Sequence, residues 1–391
     1  MKKILGKIKR KWMEIKSKIY FKILYVFSYL GKVNKNKVVM SSMCGKGYVG
    51  NPKYICEELH KQMPNLEIVC LVENEKKDAP NYVKIVKNTP FNIIKELSTA
   101  KIWIDDQRKI FPMHKKKGQL YIQTWHGGLF SLKRIEKDIE NQLSNYYIKY
   151  AKNDSKMADV LISDSDSRSN LYKRSFWYKG PILQVGQPRN DILYEIDKHQ
   201  KIKKSVYDRL NLPYECKILL YTPTIRKKFK KEIFDINYDK IEETLERKFG
   251  GKWVALVKLH PAVANRAQEL SIDQYNNVIN VSDWEDLQEL LIAADVLITD
   301  YSSALFDYII LEKKAFIFAK DMDEYEKERG HYFNFRTLPI SISENINELE
   351  NNILNYDEKE YLEGIKKMLE ESGLVRGNAS KKVVEWIKKR I

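Results

Sequence analysis

Cysteine is scarce in this chain: four among 391 residues. Cys44, Cys56, Cys70 and Cys216 stand far apart, without a CxxC pair or zinc-ligand spacing, which speaks against a disulfide framework and a structural metal. They read as reduced thiols of a cytosolic protein, each filling space as a small apolar side chain. DxD, HExxH and GxxxxGK(S/T) patterns are missing as well, so a metal-dependent or P-loop mechanism has no support, and neither metal nor cofactor is expected. Low-complexity segments and short-period repeats are absent. The apolar stretch at residues 19–30 has only 12 residues and contains Lys22, too short for a spanning helix of roughly 20.

Charge is present but unevenly placed. The net charge is +16, yet residues 1–37 hold 12 Lys/Arg against Glu14 alone, leaving +5 for the other 354 residues. A nucleic-acid binder spreads basic residues along a groove with stacking aromatics, so confinement of the excess to one end argues against nucleic acid as a partner. Within that end Ile4, Leu5, Ile8, Trp12, Ile15 and Ile19 recur at helical spacing between lysines. Such a basic amphipathic helix lies in the face of an anionic membrane surface. Lys22 and the lack of a small-residue cleavage site speak against a secretory signal. A helix packed on the protein with a solvated basic face stays open.

Beyond Lys37, strand-like and helix-like segments alternate. KVVMSSM, EIVCLV, YVKIV, KIWIDD, QLYIQTW, DVLISDS and ILQVG read as strands, with helical PKYICEELHKQM and FNIIKELSTA among them. This alternation predicts parallel βαβ units covered on both faces. After a lysine-rich connection near residues 190–214, a second series runs through KILLYTPT, WVALVKLHP, NVINVSD, VLITD and KAFIFAKD, with helical DLQELLIAA and SALFDYIIL. Two similar α/β domains facing each other are predicted. The last helical segment, ASKKVVEWIKKRI, is a candidate to pack back across the first.

A histidine closes an apolar run in each half: His126 in LYIQTWHGG and His260 in WVALVKLHP. Parallel sheets deliver ligand-binding groups at the carboxyl ends of their strands. An imidazole there titrates near neutral pH and can move a proton or donate to a diphosphate. Gly127 and Gly128 leave space for an acceptor hydroxyl beside His126. Downstream, Lys133, Arg134 and Lys137 are candidates to attract a polyanionic acceptor, with Asp138 to orient a partner. In DYSS, Ser302 or Ser303 would cap the next helix, whose start suits a phosphate. Arg266 adds charge compensation near His260, and Thr222, Thr224 and Arg226 of YTPTIR are hydroxyl and guanidinium candidates for phosphate oxygens. Plainer readings stand beside these: serines as caps, histidines as structural groups, basic residues as a solvated face, and GQPRND at 186–191 as a loop with a helix cap.

The order of the motifs is more specific than any one of them. QTWHGG, LISDSDS with FWYKG, VGQPRNDIL, YTPTIR, VKLHP and LITDYSSALFDYIILEKKAFIFAKDMDEY with GHYFNF resemble the CDP-glycerol glycerophosphotransferase family of teichoic-acid primases and polymerases, over about residues 38–385. The resemblance implies an α/β, GT-B-like fold: two Rossmann-like domains facing across a cleft, here with an N-terminal basic amphipathic helix. The boundaries expected are 1–37 for the membrane-association helix, 38–200 for an acceptor domain and 201–391 for a CDP-donor domain. It further implies a peripheral enzyme at the cytoplasmic face of the cell membrane, with a CDP-alcohol donor and a lipid-linked or glycan acceptor; self-association is left open. Carried over by position, His126 becomes the base for the acceptor hydroxyl and His260 the contact to the donor diphosphate. Ser302, Ser303 and Arg226 become phosphate ligands, and Asp307 a ligand of the polyol or a neighbouring donor group. One departure borders the acceptor side: many members read WHGTPLK, whereas this chain reads WHGGLFSLK, two residues longer. Alternatives are transfer of ribitol phosphate from CDP-ribitol and a GT-B glycosyltransferase using a nucleotide sugar, since fold alone does not fix chemistry.

Overall fold

The computed structural model describes residues 22–23, 25–75, 78–128, 134–226, 229–260, 263, 269–270 and 272–391. Most of the basic N-terminal segment lies outside them. The chain folds into two parallel α/β units. The first sheet contains β1 (Asn34–Ser41), β2 (Glu67–Val72), β3 (Val83–Lys87), β4 (Ala100–Asp105), β5 (Leu120–Gln123), β6 (Val160–Ser163) and β7 (Ile182–Gln184), in the order β3-β2-β1-β4-β5-β6-β7. The second contains β8 (Lys217–Thr222), β9 (Trp253–Val257), β10 (Val278–Asn280), β11 (Val296–Thr299), β12 (Lys314–Phe318) and β13 (Ile342–Ser343), in the order β10-β9-β8-β11-β12-β13. All pairings are parallel.

Central strands read as unbroken apolar runs because helices cover both faces. Val38, Val39 and Met40 of β1 and the whole of β11 are buried. The covering helices carry apolar stripes instead: Ile55, Cys56 and Leu59 of the helix Gly50–Gln62 enter the core of the first sheet. Polar caps fix where helices start. Thr89 accepts from Asn92 N ahead of Pro90, and Ser165 accepts from Arg168 N. Strand order reverses between β1 and β4 in one sheet and between β8 and β11 in the other, opening the crevices where doubly wound sheets bind ligands.

The two units are interlocked in sequence. The helix Ile196–Leu210 buries Val206 and Tyr207 against Leu290 and Leu291 of the second unit. The final helix, Ala379–Lys388, returns to the first, where Ala379, Val383, Val384 and Ile387 join Val38, Ile55 and Leu59. Asp191 receives that helix, its carboxylate accepting from the N–H of Ala379 and of Ser380, both at 2.7 Å. No helix among the described residues is long and apolar enough to cross a membrane.

Candidate active site

β5 stops at Gln123 because the chain turns sharply there. Trp125 has φ +53°, a left-handed conformation that costs a non-glycine residue about 1–2 kcal/mol. Surrounding bonds hold it. Trp125 N donates to Gln123 Oε1 at 2.9 Å, and its carbonyl accepts from Asn51 Nδ2 at 3.1 Å. The indole packs edge-on to Phe176, 4.8 Å between centroids, with the Arg108 guanidinium 5.5 Å away. Arg108 is itself buried, forked onto Glu136 at 2.7 and 2.9 Å and bonded to Asp154 at 3.0 Å.

The turn delivers His126, half-buried beyond the end of β5. Its Nδ1 lies 2.8 Å from the Asp106 carbonyl oxygen. A carbonyl can only accept, so Nδ1 carries the proton and the lone pair of the neutral ring falls on Nε2, the arrangement a general base needs. Gln107, whose amide lies 3.1 Å from the same Nδ1, must then present its oxygen. Asp106 also binds through its carboxylate, which accepts from Ser42 Oγ at 2.6 Å and Met43 N at 2.8 Å. Burial pushes that carboxyl up to about 6, outweighing the two bonds that favour the ionised form.

In the second unit, Asp300 closes the β8/β11 crevice. Its Oδ1 accepts from Thr224 N at 2.8 Å and Tyr301 N at 2.6 Å, while Oδ2 pairs with Arg226 at 3.0 Å. Ser302 Oγ accepts from Ala304 N at 3.2 Å. The Ser303 hydroxyl has no hydrogen-bond partner among the described residues and is half-exposed. The helix they begin is short, Ala304–Tyr308, followed by a 3-10 turn, Ile309–Leu311. His260 is exposed just beyond β9 and the serines lie beyond β11, strands that flank β8 and so run two strand spacings, roughly 10 Å, apart.

The two halves meet at these turns. A Cβ on Gly128 would lie 3.0 Å from the Ser303 carbonyl oxygen and 3.1 Å from Ser303 Cβ, and one on Gly127 would lie 3.0 Å from Arg168 Nη1. The glycines thus make room for Arg168 and the serine turn. Further contacts join the units: Lys53 and Tyr54 reach Asp286 at 2.5 and 2.9 Å, and Tyr332 donates to Asp138 at 2.7 Å.

Two other candidates are engaged by protein groups. Arg226 was a candidate phosphate ligand, but its guanidinium is buried against Tyr301 and Tyr325 and bonded to Asp321, Asp300 and the Thr224 carbonyl. Its charge is spent inside the domain. Asp307 was a candidate donor ligand, but it is buried and accepts four bonds: from Arg189 Nε at 2.9 Å, Arg189 Nη2 at 3.3 Å, Asn190 at 2.8 Å and Gln288 at 3.2 Å. Those exhaust a carboxylate's usual capacity.

Thr224 keeps its Oγ1 buried without a partner among the described residues. Arg134 is exposed, its backbone N–H donating to the Gly330 carbonyl. Asp138 is occupied by Tyr332, Ser175 at 2.5 Å and Arg174 at 3.4 Å, so its partners are protein groups. Lys133 and Arg266 lie outside the described residues. No group of three or more His, Cys, Asp or Glu is placed to hold a metal ion among the described residues. Sequence reasoning passed over Asn51, Asp106 and Arg189. Only Arg189 carried a signal, standing in the GQPRND motif.

The family model for CDP-glycerol:poly(glycerophosphate) glycerophosphotransferase matches residues 23–389. A teichoic acid glycerol-phosphate transferase of Staphylococcus aureus is 30% identical, the match covering 95% of this chain and 98% of that protein. A teichoic acid poly(glycerol phosphate) polymerase of Staphylococcus epidermidis is 32% identical over 84% of this chain, which spans only 47% of that longer protein. Among solved structures, a variant of the wall teichoic acid polymerase TagF soaked with CDPG is 30% identical, with a TM-score of 0.82 and 98% of each chain covered. The chain belongs to the CDP-glycerol glycerophosphotransferase family.

Proposed function

We propose that the chain transfers glycerol phosphate from CDP-glycerol to a hydroxyl of a lipid-linked or glycan acceptor in teichoic-acid-like or capsular surface-polymer synthesis. The first unit would receive the acceptor and the second the CDP moiety. The acceptor oxygen attacks the β-phosphorus and forms the new phosphodiester bond. The bond from that phosphorus to the bridging oxygen breaks, and CMP leaves with the bond's electron pair. The hydroxyl proton passes to His126 Nε2, general-base help of the kind worth about 10²–10⁴-fold. Charge grows on the bridging oxygen and leaving phosphate, where fixed donors act most strongly. His260, Ser302 and the unengaged Ser303 hydroxyl are the donors proposed there.

The observation that carries this reading is the close approach of Gly128 to Ser303, which sets the turn bearing the base against the turn proposed for the phosphates. Incubating the protein with CDP-glycerol, CDP-ribitol or UDP-sugars plus acceptor, and following CMP or UDP release, tests it. CMP from CDP-glycerol is expected. UDP release alone would replace the assignment with a glycosyltransferase, and CMP from CDP-ribitol alone would change the polyol.

Membrane attachment through the basic N-terminal segment completes the proposal, placing the enzyme peripherally at the cytoplasmic face. Val26, Phe27, Tyr29 and Leu30, in the described part of that segment, are exposed, as an interfacial element requires. Removing residues 1–32 is expected to abolish binding to anionic liposomes while preserving turnover on soluble substrates.

A further inference from the structure

Arg189 links the two halves of the candidate site through a single side chain. It is buried beyond β7, and its three guanidinium nitrogens are divided between the units. Nε and Nη2 grip the Asp307 carboxylate on the helix that follows the serine turn. Nη1 donates to the His126 carbonyl at 3.1 Å. The backbone N–H of Arg189 donates to Asn51 Oδ1 at 3.1 Å, and Asn51 Nδ2 in turn holds the Trp125 carbonyl. Two consecutive carbonyls of the strained turn, at 125 and 126, are therefore fixed by Asn51 and Arg189.

We infer that Arg189 is a positioning residue for the transfer reaction, holding the His126 turn in register with the donor-side helix through the Asp307 pair; this rests on the function proposed above. Such a role needs a planar fork. A guanidinium can give parallel bonds to a carboxylate and still point another N–H at a carbonyl, whereas an ammonium is a point charge on a flexible stem. A base displaced by about an ångström loses much of its effect although substrate still binds.

The test compares the wild-type chain with Arg189→Lys. The lysine keeps the charge beside Asp307 and is expected to lower kcat at least tenfold, with KM for CDP-glycerol changed less than threefold and the melting temperature close to wild type. A purely structural role would lower the melting temperature and leave kcat per folded molecule unchanged, which would overturn the inference, as would a loss confined to KM. A second readout needs no turnover. In protein labelled at its histidines with ¹⁵N, the His126 ring resonances are expected to shift in Arg189→Lys, and unchanged resonances would refute the positioning role. A wild-type chain inactive with every donor would sink the proposed function while this spectrum still decides the role of Arg189. Should Arg189→Lys fail to fold, Asp307→Glu, which keeps the ion pair but pushes the guanidinium by one methylene, must move the same resonances.

Discussion

Replacing Asp307 with Asn separates two roles for a carboxylate that the sequence alone presents as a donor ligand. Asp307 and Arg189 have side chains only 3% and 9% exposed. Asn is nearly isosteric, but it removes the charge and turns an NH₂ group toward Arg189, Asn190 or Gln288, all of which donate to this site. A buried guanidinium is left without its counter-ion, which costs about 3–5 kcal/mol when one partner of a buried pair is removed. For units of this size each kcal/mol moves the melting temperature by about 2–4 °C, so a fall of roughly 6–20 °C is expected. Calorimetry on both proteins measures it, with isothermal titration of CDP-glycerol well below the transition giving donor affinity. The expected result is a large thermal loss with donor affinity within a few-fold of wild type. A variant that melts like wild type but binds donor tenfold more weakly would refute the tether and return Asp307 to the ligand set.

Three further outcomes follow from the same geometry. His126→Ala is expected to reduce kcat by about 10²–10⁴-fold with donor affinity nearly intact; an equal loss of affinity, read by the same titration, would contradict its placement on the acceptor side. Gly128→Ala puts a methyl 3.0 Å from the Ser303 carbonyl, an overpacking worth about 1–3 kcal/mol, so kcat and melting temperature should both fall, and a variant unchanged in both would show that the two turns part freely. Asp106 has its carboxyl raised by burial from 3.8 to about 6, so between those pH values the folded chain retains a proton that the unfolded chain has lost. This group's contribution to stability therefore declines as pH rises through that window and is flat above it. Asp106→Asn, which can still accept from Met43 and bond Ser42, should gain melting temperature relative to wild type as pH rises from 4 to 6.5. A constant difference across that range would show that Asp106 does not titrate there.

What could be read in the sequence was what local patterning carries. Continuous apolar runs such as VLIT and VALV mark strands buried on both faces, so the alternation gave two parallel sheets, and the histidines and serines fell at strand ends where such sheets present them. Patterning fails where a residue's partner is brought to it by tertiary packing. Arg226 and Asp307 sit in phosphate-like motifs, yet one is neutralised by Asp300 and Asp321 inside its own domain and the other by Arg189 from across the junction. A charged residue beyond a strand looks the same in sequence whether it faces ligand or an opposite charge, because only the tertiary contact decides which. The same limit hid the helix Asn145–Met157, where Tyr and Lys predominate and only Ala151, Asp154, Ser155 and Met157 are buried, too polar a stripe to announce a core-facing helix. It also hid Asn51, an ordinary polar residue near a helix start. Its importance comes from the left-handed Trp125 in the turn beyond a separate strand, whose carbonyl it holds. The proposed mechanism depends on aligning two turns from different sheets, so the residues that align them are the ones least constrained by neighbours in sequence and least visible to it.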